Sequence, residues 1–586
     1  METPAVRRPP NRTPLSFAEF VLDPFAYELR REGRTLKVER RPMELLILLL
    51  ERRGELVTRE EIAKHLWSSG VFIDIDTSIN TLVLKVRRAL RDSAMRSRFV
   101  QTVQGKGYRF VADVQPVEHR AVVVVLPFEN LQNDPAQEYV ADGITEETIV
   151  GLGRMGPGRL SVIGRTTSMA YRRTKRTIGD IGTDLGADYV VEGSVRAAAG
   201  RVRVSATLSR VRDQVQIWSE SYERDAADLL GLQTALGLDI AEQIHLRLSS
   251  PQRADSGPRR QTRHQRAYDL YLRGRYYYNQ MTPATAERAL HCFREATGLD
   301  PTYSLAWAGI AHTYSSRLFN SDARPSDVID EARTAAAAAM AAGASVAEAQ
   351  TAVASVQFLF DWNWRTAETH LRRAVALNPS STQSYWMLGH TLTQQGRHEE
   401  ALAAASRALE LDPLDALTHG MAAQIAYSAG RTDVAATYAK QALLVEPDFW
   451  VGQWQLGQAY ERMGRTNEAL EVLAHASRLS NGNSKPVSLT VYLLARTGRA
   501  NEAREILDTL ECRARDAYVP PVAVALGHLG LNDKVQVFEW LEQALSVRDV
   551  HLIYVPWDAK WGALRGEKRF RDFLRRSGLG AERVRG

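Results

Sequence analysis

The stretch DTSINTLVLKVRRALRDS (Asp76–Ser93), with FVQTVQGKGYRF (Phe99–Phe110) just beyond it, decides the fold of the amino-terminal part of this chain. In the first segment Ile79, Val83, Val86 and Leu90 follow one another at spacings of 4, 3 and 4, the period of a helix with one buried face. At about 100° per residue the opposite face carries Thr77, Thr81, Leu84, Lys85 and Arg88, flanked by Asn80, Arg87 and Arg91. No acidic side chain interrupts that face between Thr77 and Arg91. Such a helix suits a DNA major groove, where Arg and Lys reach guanine or phosphate and Thr offers a hydroxyl or methyl. An ordinary amphipathic helix with a solvated basic face has the same pattern. Leu84 favours the groove, because a leucine among polar neighbours suits a thymine methyl or a partner. The second segment separates the two readings. Phe99–Val103 and Tyr108–Val111 read as short strands around Gln104-Gly105-Lys106-Gly107, a tight hairpin with a cation at its tip.

Upstream, Phe17–Leu22, Glu28–Arg31 and Thr35–Val38 have strand character, with turn signals at Asp23-Pro24 and Gly33. Pro42 opens a helical run, MELLILLLERRG, that stops at Gly54. Thr58-Arg-Glu-Glu61 is a capping box that starts a second helix, Glu60–Leu66. Two helices, a basic helix and a hairpin make a winged helix-turn-helix, with the hairpin as the wing.

Over about Phe17–Val114 the sequence resembles the OmpR/PhoB-type DNA-binding domain, through RPMELLILLLERRGELVTREEIAKHLW, DTSINTLVLKVRRALRDS and FVQTVQGKGYRFVADV. The resemblance implies that Thr77–Arg91 is the recognition helix on double-stranded promoter DNA. Thr77, Thr81, Leu84 and Lys85 would face bases, Arg87 and Arg88 would hold phosphates or bases, and Thr102, Gln104, Lys106 and Tyr108 would line the wing. It also implies that the Trp67–Asp76 loop, anchored by Trp67, can touch RNA polymerase. Gln104 stands where relatives often carry arginine, and Leu84 and Lys85 depart from the family too, so no operator sequence transfers.

The charge distribution agrees with a polyanion partner at this end. Residues 1–115 hold 21 Lys and Arg against 15 Asp and Glu, and the rest of the 586-residue chain balances at 54 of each. The only cysteines, Cys292 and Cys512, exclude a disulfide framework and a cysteine-based zinc motif, and suit a reducing cytosol. The tail METPAVRRPPNRTPL lacks the apolar core of a signal peptide, and no run approaches a membrane span. A cytoplasmic protein without cofactor or metal is expected. With a tail of about 14 residues before the winged helix, neither a receiver domain nor phosphorelay control is expected.

The fold class expected is multidomain: a winged helix-turn-helix (α+β) at 15–115, an α/β domain at 119–248, a linker at 249–265 and an all-α superhelix at 266–586. In the middle region AVVVVLPF (Ala121–Phe128) reads as a buried central strand. Tyr139–Leu152, Ile178–Leu185 and Ala226–Leu248 read as helices, and three strands between Tyr189 and Tyr222 as a meander. Gly151-Leu-Gly-Arg-Met-Gly156 satisfies G-x-G-x-x-G but lies at a helix end before Pro157, so a helix-end turn is the reading in place of a dinucleotide site. The block resembles the TolB N-terminal-like module through VLPFEN, EYVADGITEETI, VIGRTTSMAY, LGADYVVEGSVR and IWSESYERD. Asp142 and Arg165 are candidates for a small-molecule pocket, with a structural role favoured.

Pro379, Pro413 and Pro447 lie 34 residues apart after RRAVALNP, SRALELDP and KQALLVEP, and small residues recur in register, such as Ala401, Ala405 and Ala408 with Ala435, Ala439 and Ala442. This is the tetratricopeptide-repeat (TPR) period, with about eight units and KRFRDFLRRSGL as a capping helix. Stacked repeats form a groove for a peptide or protein. Trp307, Trp386, Trp450, Trp454 and Tyr276–Tyr278 read as inter-repeat core in preference to a ligand cage. The order of parts resembles a CadC-like regulator, whose membrane relatives carry a span where Gln115–Arg120 leaves no room for one. The expected function is a one-component regulator, not an enzyme. The alternative is a TPR scaffold whose winged helix docks protein.

Overall fold

A computed structural model describes residues 15–579 apart from 24–27, 32–33, 37, 68–74, 117–119, 133, 135–136, 156–159, 199–200, 226–234, 238, 241–242, 245–261, 263 and 281. The chain divides into two compact units, with the boundary between Arg120 and Ala121. Among the described residues no helix is long and apolar enough to cross a membrane.

The first unit opens with an antiparallel meander, β1 (Leu15–Phe17), β2 (Phe20–Asp23), β3 (Glu28–Arg31) and β4 (Arg34–Leu36), whose free edge at β1 takes β8 (Gln115–Pro116). The strand expected over Phe17–Leu22 is therefore broken. Ala18 turns the chain at φ 47, and the turn brings Phe17 and Phe20 into one core. Phe17 meets Phe20, Phe99 and Phe110 at ring-centroid distances of 5.5, 5.6 and 5.1 Å, tying this sheet to the hairpin. Between them lie α1 (Arg40–Glu51), β5 (Val57–Thr58), α2 (Arg59–Leu66) and α3 (Ile75–Leu90). The wing is β6 (Val100–Val103) with β7 (Gly107–Phe110), and β5 pairs beside β7. The capping box forms as read: the Glu61 amide donates to Thr58 Oγ1 at 3.2 Å, and the Thr58 amide donates to Glu61 Oε2 at 2.8 Å. α1 spans Arg40–Glu51 and so ends before Arg52 and Arg53 of the expected run, and Gly54 makes the turn at φ 79.

The second unit begins with a mixed sheet ordered β11 (Leu160–Val162), β9 (Ala121–Val125), β12 (Tyr189–Ala198), β13 (Arg201–Arg210) and β14 (Val215–Asp225), with β10 (Glu129–Asn130) also on β12. β9 lies inside the sheet, next to the edge strand β11, and is parallel to both neighbours, and Val123, Val124 and Val125 are fully buried. Val123 and Val125 join one core and Val124 a second, so the strand serves both faces of the sheet. Gly151 and Gly153 lie inside α4 (Glu138–Met155), whereas Gly156 is outside the described residues. Much of the helix expected over Ala226–Leu248, and most of the 249–265 stretch, also lies outside them.

From Gln265 to Ser546 eight helix pairs follow one another. Glycines in the left-handed region end the first helix of successive pairs at Gly396, Gly430, Gly464 and Gly498, 34 residues apart, and Asn532 continues the series at φ 60. The amide of the residue after each donates back five positions: Arg397 to Leu392, Arg431 to Ala426, Arg465 to Tyr460, Arg499 to Leu494 and Asp533 to His528. Gly389 and Gly457 sit at crossings where a Cβ would come within 2.7 Å of Ile425 and Leu473 respectively.

Two long-range features close this unit. The array meets itself: Asp322 accepts from Ser484 Oγ at 2.7 Å and from Arg513 at 2.8 Å. The segment after the last pair then runs along the first helices of earlier pairs. Trp557 Nε1 donates to Gln394 at 3.0 Å, Tyr427 donates to Asp558 at 3.0 Å, and Arg548 donates to the Phe360 carbonyl at 3.0 Å. The groove expected for a peptide is thus covered at these points by the chain's own end, and the helix Ala416–Ser428 is buried almost all round.

The α/β module packs on the repeats through α4, β11 and α5 (Arg165–Ala170). A Cβ on Gly143, Gly153 or Gly164 would come within 2.8, 2.7 and 2.4 Å of Leu272, Asn378 and Asp412 respectively. Asp142 and Arg165 stand in an ion-pair network with Glu146, Arg172 and Arg275, with Arg165 3.2 Å from Glu146. Burial pushes the Glu146 carboxyl up, but Arg275 and Arg165 outweigh it and hold it below its usual range. Asp412 caps α5 from a repeat turn, accepting from the Thr167 amide at 2.7 Å, and Thr167 Oγ1 accepts from the Leu414 amide at 2.8 Å.

Burial and the neighbouring Asp415 push the Asp412 carboxyl up to about 7. A carboxyl raised on folding holds its proton between the unfolded value of about 4 and that figure, so its contribution to stability falls as pH rises across this window. Asp412→Asn should therefore flatten the pH dependence of unfolding of the full chain between pH 5 and 8. Asp412→Ala, which leaves the α5 amides unpaired, should lose about 1–3 kcal/mol and speed amide exchange at 165–170.

Candidate nucleic-acid interface

The face opposite the buried stripe of α3 is determined by the packing of α3. Ile79, Val83, Val86 and Leu90 are buried against α1 and α2, so Thr77, Asn80, Thr81, Leu84, Lys85 and Arg88 are exposed. Leu84 is 60% exposed, an unusual position for a leucine on a charged face. Thr81 Oγ1 donates to the Thr77 carbonyl at 2.9 Å. Lys85 is held by Glu39, 2.7 Å from Nζ to Oε2. Among the described residues Arg88, Arg91 and Lys106 enter no ion pair, and all three are exposed.

Three residues assigned to the interface have internal duties. Tyr108, expected along the exposed wing, is only 4% exposed. It lies two residues from Phe110 on one strand, so both side chains enter the core. Its hydroxyl donates to Asn80 Oδ1 at 2.9 Å and accepts from Arg59 at 3.1 Å. Asn80 is thereby held between Tyr108 and Arg59, whose other nitrogen is 2.7 Å from Asp76. Arg87 turns toward the wing, donating to the Val100 carbonyl at 2.8 Å and to Thr102 Oγ1 at 2.9 Å. These three side chains position α3 relative to the hairpin.

The wing tip is Gln104, Gly105 and Lys106, all exposed, with Gly105 at φ 71 where a side chain would be strained. Gly107 has another reason: a Cβ there would stand 2.1 Å from the Val57 carbonyl oxygen, so β5 and β7 pair only across a bare backbone.

One organising residue escaped the sequence reading. Asp92 follows α3 and accepts from the amides of Arg98 at 2.7 Å, Phe99 at 3.3 Å and Val100 at 2.8 Å, setting where the wing leaves the helix. Arg91 before it takes φ 52, the left-handed end of α3. A signal existed in the Arg91-Asp92 pair directly after the last stripe residue.

Residues 33–110 match the family described as transcriptional regulatory protein, C terminal, and residues 363–416 and 421–484 match the tetratricopeptide repeat. The first unit is a winged helix of the OmpR/PhoB type, and the array is a TPR superhelix. The chain is 25% identical over 323 residues to the transcriptional regulator HilA of Salmonella typhimurium, covering 52% of this chain and 55% of that one. It is 34% identical over 195 residues to a protein named putative adenylate cyclase 3 of Rhizobium meliloti, 32% of each chain. The chain thus spans about a third to about half of these relatives' lengths. Among solved structures, the DNA-binding domain of Klebsiella pneumoniae RstA in complex with the RstA box matches at 26% identity and a TM-score of 0.16, over 17% of this chain and 96% of that one.

Asp92→Ala should free three amides at the base of the wing. Amide exchange at 98–100 should rise and the first unit should lose about 1–3 kcal/mol, while the second unit melts unchanged.

Proposed function

We propose that this chain is a DNA-binding transcription regulator whose first unit reads duplex DNA and whose repeats and α/β module carry the regulatory input. The observation that carries the reading is the exposed α3 face: Thr81, Leu84, Lys85 and Arg88 stand together on one rigid helix, with the Lys106 tip as a second cation site. Phosphate contacts from Arg88, Arg91 and Lys106 would set affinity, and Thr77, Thr81, Leu84 and Lys85 would meet base edges. The match to the regulatory family over 33–110 and the likeness to a named transcriptional regulator support it. Under this reading the protein works in the cytoplasm and catalyses no reaction. RNA polymerase would be met at Trp67–Asp76, of which 68–74 lie outside the described residues. A protein partner would use repeat surface not covered by the 548–561 segment.

The test is a gel shift with the full chain across ionic strength. Several phosphate contacts should weaken binding by orders of magnitude between about 50 and 200 mM salt. Arg88→Ala and Lys85→Ala should each cost roughly 1–3 kcal/mol of specific binding. Because Glu39 holds Lys85, Glu39→Gln should tighten binding. Unchanged affinity in both alanine variants, with circular dichroism intact, would overturn the proposed face.

A further inference from the structure

Asn80 lies on the wing side of the α3 face, one turn from both Thr77 and Leu84, and is exposed. Its two amide atoms have different surroundings. Oδ1 is 2.6 Å from one nitrogen of Arg59 and 2.9 Å from the Tyr108 hydroxyl. A guanidinium can only donate, so the atom it meets is the carbonyl oxygen, and this fixes which way the amide faces. The same nitrogen of Arg59 donates to the Tyr108 hydroxyl at 3.1 Å, which turns the hydroxyl hydrogen toward Asn80. Both lone pairs of Oδ1 are therefore taken.

The two donors are themselves held. Arg59 opens α2, and its other terminal nitrogen is 2.7 Å from Asp76 Oδ1. Its backbone amide donates to the Lys106 carbonyl at 3.3 Å, and its guanidinium stands 5.6 Å from the centroid of the buried Tyr108 ring. Turning the Asn80 amide over would set its N–H groups against these donors and leave both without an acceptor. Nδ2 lies on the other side of Cγ and makes no hydrogen bond among the described residues. Asn80 thus offers the outside N–H donors and no acceptor.

We propose that Asn80 reads a keto base, guanine or thymine, in the major groove and discriminates against adenine and cytosine there. This rests on the reading of α3 as a DNA-reading helix, and it assigns one base contact within that face. The familiar pairing of asparagine with adenine uses both amide atoms, the nitrogen on N7 and the oxygen on the N6 amino group. With Oδ1 saturated, the adenine amino group finds no acceptor on this side chain, and the N4 amino group of cytosine finds none either. Guanine presents O6 and N7, and thymine O4, all of them acceptors that suit the free N–H groups.

The test selects DNA from a random-sequence duplex pool with the full chain and with its Asn80→Asp and Tyr108→Phe variants. The carboxylate of Asn80→Asp still accepts from Arg59 and Tyr108, but it presents an oxygen where the amide presented N–H. At one position of the selected motif it should reverse the preference from guanine or thymine to adenine or cytosine. Their ratio should change by about tenfold or more, the worth of one base contact. Tyr108→Phe keeps the buried ring, returns a lone pair to Oδ1 and should raise adenine at that position by about threefold or more. It decides the matter if Asn80→Asp does not fold. Unchanged base preference in folded Asn80→Asp, or in Tyr108→Phe where Asn80→Asp does not fold, would overturn the assignment and leave a DNA-reading α3 standing. Uniform weakening on all sequences with the motif unchanged, the mark of a phosphate contact, would do the same. A wild-type chain that enriches no motif would overturn both.

Discussion

Burying the apolar stripe of α3 is the constraint on which the first unit depends. Ile79, Val83, Val86 and Leu90 can leave water only by facing α1 and α2, and a helix with that face inward presents the opposite face outward. The exposed array of hydroxyl, leucine and cation is thus a consequence of core packing. The parts around it hold the angle: Asp92 sets the departure of the wing, Arg87 ties α3 to β6, and Arg59 with Tyr108 holds Asn80. Four phenylalanines fasten the N-terminal meander to the same core.

The second unit is held by different means. A TPR array extends by nearest-neighbour contacts, and such arrays ordinarily remain open. Here the Asp322–Arg513 and Asp322–Ser484 contacts join early and late repeats, and the end segment covers first helices that would otherwise line a groove. The α/β module is fixed to the repeats by close contacts at glycines, by Asp412 and by a buried apolar core that the two share. Module and repeats therefore have the means to respond together, since α5 and the Leu411–Asp415 turn share hydrogen bonds.

Local, periodic features were legible in the sequence. The α3 stripe, the Thr58 capping box, the Gly105 hairpin and the 34-residue repeat each rest on residues close in the chain, where spacing carries the physics. Tyr108 was also legible and was misassigned: its two-residue offset from Phe110 places it in the core. The break at Ala18 was hidden inside FAEFVL (Phe17–Leu22), where one strand and a hairpin share the same pattern. Contacts such as Gly164 with Asp412, or Trp557 with Gln394, join residues more than 160 positions apart and leave no local periodicity.

The most direct measurement is selection of DNA from a random-sequence duplex pool by the full chain at low ionic strength, followed by sequencing of the bound fraction. A DNA-reading α3 yields an enriched motif, and that motif changes or disappears when Thr81, Leu84 and Lys85 are replaced together by alanine in a folded protein. A pool without enrichment, or a motif indifferent to that replacement, would contradict it.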